Sequence, residues 1–326
     1  MWIDWTSNLI SVLIKLSIYR GRRSQAGNQG VTTGLGITIT IAGGFLVGLV
    51  TTGPAVRRIA GIFIAAVILL LPVAMKTSPE VSRRVTLTLA SIIALRAIDL
   101  STEVPSRSLA WRVLHVFMPF DTRLARRCRP HLDFRQALGT IVWAVLSYAA
   151  FRAAANSPVA PLTAHYLVRW LSAIVWVMAL FETLAGVISV TLTMVGVQIP
   201  SLHDAPHKSR TLREFWSVRW NKIISRWLRD HVYTPLARRG YDDAALLASF
   251  AASAAIHFYI TSVLLNARWA LLMAALFLIQ GPLLWAEDAL RIRQRTVLVG
   301  RLWTLGLVIL LSPLFTEPVL RIFHLS

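Results

Sequence analysis

The stretch AALLASFAASAAIHFYITSVLL, residues 244–265, decides the class of this protein. It is long enough to cross the hydrocarbon core of a bilayer, for which a helix needs about 20 apolar residues. Within it lies one histidine, His257, roughly 20 Å along the helix from its start. An ionisable side chain at that depth is a functional-site hypothesis by default. The alternative is a structural histidine that is hydrogen-bonded to a neighbouring helix.

Similar apolar runs recur along the whole chain of 326 residues, of which 56% are hydrophobic and 15% charged. The other runs lie at roughly 3–19, 31–52, 59–75, 137–155, 166–197, 269–288 and 298–315. The pattern predicts an all-α, polytopic transmembrane fold with about eight spans and additional re-entrant or interfacial helices. No segment between the runs is long enough for a separate globular unit, so we expect a single membrane domain over 1–326.

The formal net charge of +19 comes from basic residues that are concentrated between the apolar runs. In a soluble chain this charge would suggest nucleic acid, but here it indicates orientation, because Lys- and Arg-rich connections face the cytoplasm. Those connections are 20–30, 99–136, 199–243 and 289–297. The assignment puts both termini away from the cytoplasm, and it requires the short run 85–98, with Arg96, to be re-entrant or interfacial. Anionic membrane lipids and a polyanionic substrate are further partners for these charges.

Two other classes of membrane protein are less well supported. A transporter with a proton-relay histidine is the main alternative, but the sequence shows neither internal repeats nor charges paired across several spans. A prenyltransferase needs aspartate-rich clusters that hold magnesium diphosphate, and the pairs Asp242/Asp243 and Asp99/Glu103 do not have that form. No metal is expected, and the single cysteine of the chain, Cys128, leaves no cysteine-based metal site.

The segment TLREFWSVRWNKIISRWLRDHV, residues 211–232, predicts an amphipathic helix of about six turns. Thr211 and Glu214 have the spacing of a capping box, and Pro235 follows the end. The helical period gives an aromatic stripe (Trp216, Trp220, Ile223, Trp227) beside a basic stripe (Arg219, Lys222, Arg226, Arg229). These two faces are typical of an anchor lying in the membrane interface. Asn221 belongs to neither stripe and lies on a third face, which could turn into the protein.

These residues resemble the wax synthase branch of the membrane-bound O-acyltransferase superfamily. The branch has an S/T-L-x-x-F-W-G-R-x-W-N helix followed by R-x-x-V-Y-x-P, which is closely matched from Thr211 to Pro235. Downstream, FLIQGPLLWAE at 277–287 is similar to the F-L-x-H-G-x-x-x-x-x-E segment, and MPFDTRLARRC at 118–128 to an LPFD-like connection. Ser217 replaces the usual glycine and Gln280 stands where many members have histidine, which leaves the role of that position in doubt, whereas Glu287 is kept.

The resemblance implies a wax synthase-like catalytic core over 199–290 that transfers an acyl group from acyl-CoA to a lipophilic alcohol. His257 would be the general base and Asn221 its polar partner. The resemblance and the basic stripe together give Trp220, Arg213, Arg219, Arg226 and Lys222 as candidate acyl-CoA residues on the cytoplasmic segment 199–243. Binding of lipid headgroups is the alternative for each of these cations. Acceptors in the branch include fatty alcohols, sterols and terpenoids, so the resemblance does not fix the acceptor. The length of the acyl group and the oligomeric state also stay open.

Overall fold

A computed structural model describes residues 26–51, 54–75, 80–102, 108–156 and 164–324. The predicted first span, 3–19, lies outside the described residues. The described chain is almost entirely helical and divides after Pro119 into two compact units. The prediction of an all-α, polytopic membrane fold is therefore confirmed, whereas the single domain over 1–326 stays a prediction.

Among the described residues, the first unit contains four helices, and small or branched side chains form its core. They are α1 (Ala26–Val50), α2 (Ala55–Ala74), α3 (Glu80–Thr102) and α4 (Leu109–Phe117). Val47, Ala65, Ala90 and Ile93 belong to one buried cluster, in which the alanines allow the helices to approach closely.

Helix α3 is longer than the apolar run 85–98 from which it was predicted. Its 23 residues make it long and apolar enough to cross a membrane, so its length does not support a re-entrant or interfacial placement. It tolerates two buried charges, because Arg96 Nη1 lies 2.6 Å from Asp99 Oδ2. Arg96 also donates to the carbonyl oxygens of Met118 and Pro119, both at 3.2 Å. A buried ion pair with further hydrogen bonds is the arrangement that an apolar environment allows.

The second unit begins with a helical hairpin that is closed at its base by a short strand pair. Strand β1 (Arg126–Arg127) pairs antiparallel with β2 (Val197–Gln198). Between the strands, α5 (Phe134–Asn156) and α6 (Ala164–Met194) pack along each other. Because one strand precedes α5 and the other follows α6, the pairing fixes where the next segment, 199–211, begins.

Residues 211–237 form a series of short pieces rather than one helix. They are α7 (Leu212–Glu214), a π-helical turn (Phe215–Arg219), α8 (Lys222–Leu228), a second π-helical turn (Arg229–Tyr233) and α9 (Thr234–Ala237). The prediction of a continuous helix over 211–232 is wrong. A π-helical turn closes from residue i to i+5, so the 3.6-residue period on which the stripes were based does not continue through the segment.

The remaining helices complete the second unit. They are α10 (Asp242–Leu264), α11 (Ala267–Leu278), α12 (Gln280–Ala289), α13 (Val297–Leu311) and α14 (Pro313–Ile322). The axes of α13 and α14 differ by 43°. Pro313, at the first position of α14, accounts for the bend because it has no N–H to continue the helical hydrogen bonds.

The predicted spans correspond closely to these helices. Each of the seven predicted runs that the structure describes is helical. Among the described residues, six helical stretches are long and apolar enough to cross a membrane, or seven if α13 and α14 count as one bent span. In α1 the apolar part is shorter, Gly34–Val50.

Candidate active site

His257 lies in the second half of α10, and its ring is oriented by its own helix. Its Nδ1 is 2.8 Å from the carbonyl oxygen of Ser253, one turn earlier. A carbonyl oxygen only accepts hydrogen bonds, so Nδ1 carries the proton and the lone pair of the neutral ring is on Nε2. An oriented neutral imidazole of this kind is equipped to accept a proton at Nε2.

Aromatic rings surround His257. The ring of Phe277, on α11, stacks on the imidazole at a centroid distance of 4.1 Å and an angle of 27°. Phe315, on α14, contacts it at 6.3 Å and 62°. These contacts come from two different helices, so the imidazole is held between α11 and α14 as well as by its own backbone.

Asn221 lies at the break between the first π-helical turn and α8. The N–H of Trp220 donates to Phe215 O at 2.8 Å, and Asn221 then adopts a left-handed backbone with φ of 37° and ψ of 65°. Asparagine tolerates this conformation better than most residues. Its Oδ1 accepts the N–H of Ile224 at 3.3 Å and so caps α8. The two protons on Nδ2 are left for another partner.

The start of α7 is fixed by a hydroxyl group and a carboxylate. The predicted capping box is confirmed in its main contact, since Thr211 Oγ1 accepts the N–H of Glu214 at 2.9 Å. The buried carboxylate of Glu287, on α12, accepts the N–H of Leu212 at 2.5 Å and the indole N–H of Trp303 at 3.1 Å. Glu287 therefore joins α7, α12 and α13 at one point.

Glu214 is itself held by two arginines. It accepts the backbone N–H of Arg210 at 2.8 Å and the Nε–H of Arg219 at 2.7 Å. Partial burial acts to raise the pKa of Glu214, but the hydrogen bonds and charges of Arg210 and Arg219 together hold that pKa below its usual value. The carboxylate is therefore ionised at neutral pH and pairs with Arg219.

The structure brings His257 and Asn221 to the wall of one cavity of about 640 Å³. A volume of this size is typical of sites for small organic ligands. Most of the wall is apolar, with Leu246, Leu276, Leu305, Val308 and Ile309 among its residues. The polar groups of the wall include Ser217, Ser225, Ser249, Ser253, Gln280, Ser312 and Thr316. The cavity thus combines an apolar container with a few polar groups, among them the two predicted catalytic residues.

The aromatic stripe of 211–232 faces the protein interior. Trp216 donates its indole N–H to Gln280 Oε1 at 2.9 Å and packs against Phe277 at 5.9 Å. Trp220 stacks on Phe215 at 5.6 Å, and both tryptophans line the cavity. The prediction that this face anchors the segment in the membrane interface is therefore wrong for Trp216 and Trp220, which form part of the site.

Only two of the five predicted acyl-CoA residues line the cavity, Trp220 and Arg213. Arg213 is half exposed and pairs with Asp288 at 2.9 Å. Arg219 binds Glu214, and Lys222 donates to Ser201 Oγ at 2.9 Å. Neither of these two, nor Arg226, belongs to the cavity wall. A different cation, Arg229, lies on the wall with an exposed side chain.

Two site residues were missed by the sequence analysis, Glu182 and His203. His203 is buried and lines the cavity, and its Nδ1 is 2.8 Å from Glu182 Oε1 on α6. A signal was present, because Glu182 is the single acidic residue of the apolar run 166–197 and an acidic residue in a span requires a partner. Among the described residues, no group of three or more His, Cys, Asp or Glu side chains is arranged to hold a metal ion.

Comparison with known proteins identifies the segment that carries this site. Residues 199–279 match the Membrane bound O-acyl transferase family. The chain is also 32% identical over 140 residues to probable long-chain-alcohol O-fatty-acyltransferase 7 of Arabidopsis thaliana, a match that covers 39% of each protein. It is 29% identical over 162 residues to probable long-chain-alcohol O-fatty-acyltransferase 3 of the same plant, which covers 43% of this chain and 45% of the relative.

This chain therefore spans less than half the length of the curated relatives it matches. The matched family segment contains α7 to α11, including the capping box, the Asn221 break and His257. The motifs that first indicated the resemblance lie mainly in the same segment. Over residues 199–279, the chain is therefore similar to the membrane-bound O-acyltransferase family.

Proposed function

We propose that this protein transfers an acyl group from acyl-CoA to the hydroxyl group of a lipophilic alcohol. The observation that carries the proposal is that His257 and Asn221 line the same apolar cavity, and both lie within the segment matched by the family. His257 is the general base of the proposed reaction, and Asn221 binds the oxygen of the thioester carbonyl.

The proton path follows from the tautomer of His257. With Nδ1–H donated to Ser253 O, Nε2 accepts the proton of the alcohol as its oxygen attacks the thioester carbon. The new carbon–oxygen bond produces a tetrahedral intermediate, and its collapse breaks the carbon–sulfur bond. The imidazolium then returns the proton to the departing CoA thiolate, so His257 ends in its initial state.

Asn221 supplies a hydrogen-bond donor for the charge that develops in this reaction. Its Oδ1 is occupied by the N–H of Ile224, which directs the side-chain amide so that Nδ2 is the free donor. A donor fixed before the reaction stabilises an oxyanion without reorganising in the transition state. The left-handed turn also helps to fix the donor, because it ends the preceding helix and holds the Asn221 side chain in one orientation.

The proposed substrates agree with the cavity and with the names of the relatives. The relatives are named as probable long-chain-alcohol O-fatty-acyltransferases, and leucine, valine and isoleucine side chains on the wall suit an aliphatic acceptor or acyl chain. Arg213 and Arg229 are the cations on the wall available to the CoA phosphates. The segment 199–243 would face the cytoplasm, where acyl-CoA is present.

The proposal is tested by assaying the purified protein with acetyl-CoA and palmitoyl-CoA against fatty alcohols, a sterol and terpenoid alcohols. Ester formation with at least one pair is expected, and absence of ester with every pair would contradict acyl transfer to this class of acceptor. His257→Ala should lower kcat by a factor of about 10² to 10⁴, the usual contribution of a general base.

The matched control is His131→Ala, because His131 is exposed and does not line the cavity. This variant should keep kcat within about twofold of the unchanged protein, as expected of a surface substitution. A His257→Ala protein that is folded and retains full turnover with the same substrates would exclude His257 as the base.

A further inference from the structure

Glu182 is a carboxylate in the middle of α6, the longest helix of the described chain. Its side chain is 23% exposed, and Oε1 lies 2.8 Å from Nδ1 of His203. A carboxylate oxygen accepts hydrogen bonds, so Nδ1 of His203 is assigned as the donor. A hydrogen bond of this length between a carboxylate and an imidazole N–H is among the stronger contacts in proteins. It joins a predicted membrane span to the segment that precedes the catalytic motif.

The backbone on both sides of His203 is bound to the turn that contains Asn221. Leu202 O accepts the N–H of Lys222 at 2.8 Å, and Asp204 N–H donates to Arg219 O at 2.9 Å. These two hydrogen bonds place His203 directly opposite Trp220 and Asn221. The imidazole of His203 accordingly contacts the indole of Trp220, at a centroid distance of 4.6 Å.

The turn at Asn221 needs support from outside its own sequence. The left-handed region is less unfavourable for asparagine than for most residues, but it is still uncommon outside glycine, and such a conformation persists where the surroundings determine it. The Oδ1 contact with Ile224 supplies part of this support. The two backbone hydrogen bonds from Leu202 and Asp204 supply another part, and they require the intervening residue to stay in place.

Packing alone does not account for a histidine at position 203. Its side chain is 1% exposed, and Nε2 is buried with no hydrogen-bond partner among the described residues. A buried nitrogen without a partner is unfavourable by roughly 1–3 kcal/mol, whereas an apolar ring of similar size would avoid that loss. The useful polar atom of His203 is therefore Nδ1, which binds Glu182.

We infer that Glu182 and His203 form a positioning pair that fixes the Trp220–Asn221 turn on the cavity wall, and so holds Asn221 in register with the substrate. The inference rests on the proposed acyl transfer, which it deepens by adding two residues that act through Asn221. His203 is anchored to α6 by its side chain and to the turn by its backbone neighbours. Losing the anchor lets the turn shift, and a shift of about 1 Å at a reacting group lowers turnover up to a hundredfold.

The test breaks the pair from each end. His203→Phe keeps an aromatic ring against Trp220 but cannot bind Glu182, and Glu182→Leu removes the acceptor. Each should lower kcat by about tenfold or more while the KM for acyl-CoA changes less than about threefold, the pattern expected when geometry in the transition state is lost. The double variant should be no worse than either single variant, because both remove the same contact.

Two further variants separate positioning from a general loss of packing. Glu182→Gln keeps an oxygen that accepts from Nδ1, and it should retain kcat within about threefold because the hydrogen bond is preserved. His131→Phe applies the same substitution to an exposed histidine away from the cavity, and it should behave as the unchanged protein. Size-exclusion chromatography in detergent identifies variants that have not folded.

Hydrogen exchange measured by mass spectrometry gives an answer that does not depend on turnover. A peptide covering 215–225 should exchange faster in His203→Phe and in Glu182→Leu, because the Lys222 N–H loses protection, but not in Glu182→Gln. Unchanged exchange together with unchanged kcat in the two disruptive variants would overturn the inference. If the unchanged protein transfers no acyl group, the proposed function fails, and the exchange result still decides whether the pair holds the turn.

Discussion

Single residues show most clearly how far the sequence could be interpreted. His257 was predicted from its depth in an apolar run, and the structure places it on a cavity wall. The same rule applied to Glu182 would have indicated a partner, although not that the partner is His203. The resemblance predicted Asn221 as a site residue but not its left-handed backbone. The residues next to Asn221 form backbone hydrogen bonds with Leu202 and Asp204, and a helical period does not encode such contacts.

Asn221→Asp tests the donor role that we assign to this side chain. Aspartate keeps an oxygen to cap α8 and tolerates the left-handed backbone, but it has no Nδ2 protons. We expect kcat to fall by a factor of about 10² to 10³, as for loss of an oxyanion donor, with little change in thermal stability.

Asn221→Gly is the companion variant, because glycine adopts the turn without strain and also lacks the amide. The two variants should lose similar amounts of turnover in assays with the same substrate pair. Turnover by Asn221→Asp equal to that of the unchanged protein would show that no donor is needed at this position.

At the scale of secondary-structure elements, the order and type were predictable and the internal geometry of 211–237 was not. The capping box gave the start of α7 correctly, because that signal is local. The π-helical turns could not be predicted, since they depend on contacts from elsewhere: Trp216 binds Gln280 on α12, and Glu287 binds the first turn of α7. Distant elements therefore override the regular helical period in this segment.

Glu287→Ala tests the junction of α7, α12 and α13. The substitution leaves the N–H of Leu212 and the indole N–H of Trp303 without their acceptor in a buried place, and each such loss is worth roughly 1–3 kcal/mol. We expect a clear decrease in the unfolding temperature, measured in detergent with a thiol-reactive or intrinsic fluorescence signal.

The neighbouring residue provides the control for this experiment. Asp288 pairs with Arg213, and both side chains are about half exposed, so solvent screens the pair and its loss should change stability by at most about 1 kcal/mol. Equal decreases in Glu287→Ala and Asp288→Ala would contradict a special role for the buried carboxylate.

For the whole molecule, hydropathy predicted the membrane fold, but counting spans was less secure. The length of α3 conflicts with the positive-inside assignment. If α3 crosses the membrane, the basic connections 20–30 and 99–136 lie on opposite sides, whereas the assignment places both in the cytoplasm. Sequence could not resolve this, since the charges of Arg96 and Asp99 shortened the apolar run although their mutual pairing neutralises them in the structure.

The orientation of the second unit is a prediction that labelling can test. In a Cys128→Ser background, Arg239→Cys lies before α10 and Ala267→Cys after it, and both positions are exposed. If α10 crosses the membrane, the two labels fall on opposite sides. We expect an impermeant maleimide added outside intact cells to label position 267 and to reach position 239 only after permeabilisation.

The reverse labelling would place 199–243 outside the cytoplasm and overturn the orientation, while labelling of both positions from one side would show that α10 does not cross. A serine substitution at 128 alone, which leaves no thiol, gives the background signal.

The first π-helical turn, Phe215–Arg219, makes the number of residues in this segment as important as their identity. A π-helical turn is equivalent to one extra residue inserted in an α-helix, and each residue of an α-helix turns the chain by about 100°. Deleting one residue between Trp216 and Trp220 would return this turn to α-helical hydrogen bonding and rotate Trp220 and Asn221 relative to the cavity wall. Related sequences should therefore vary in residue type here far more readily than they gain or lose a position.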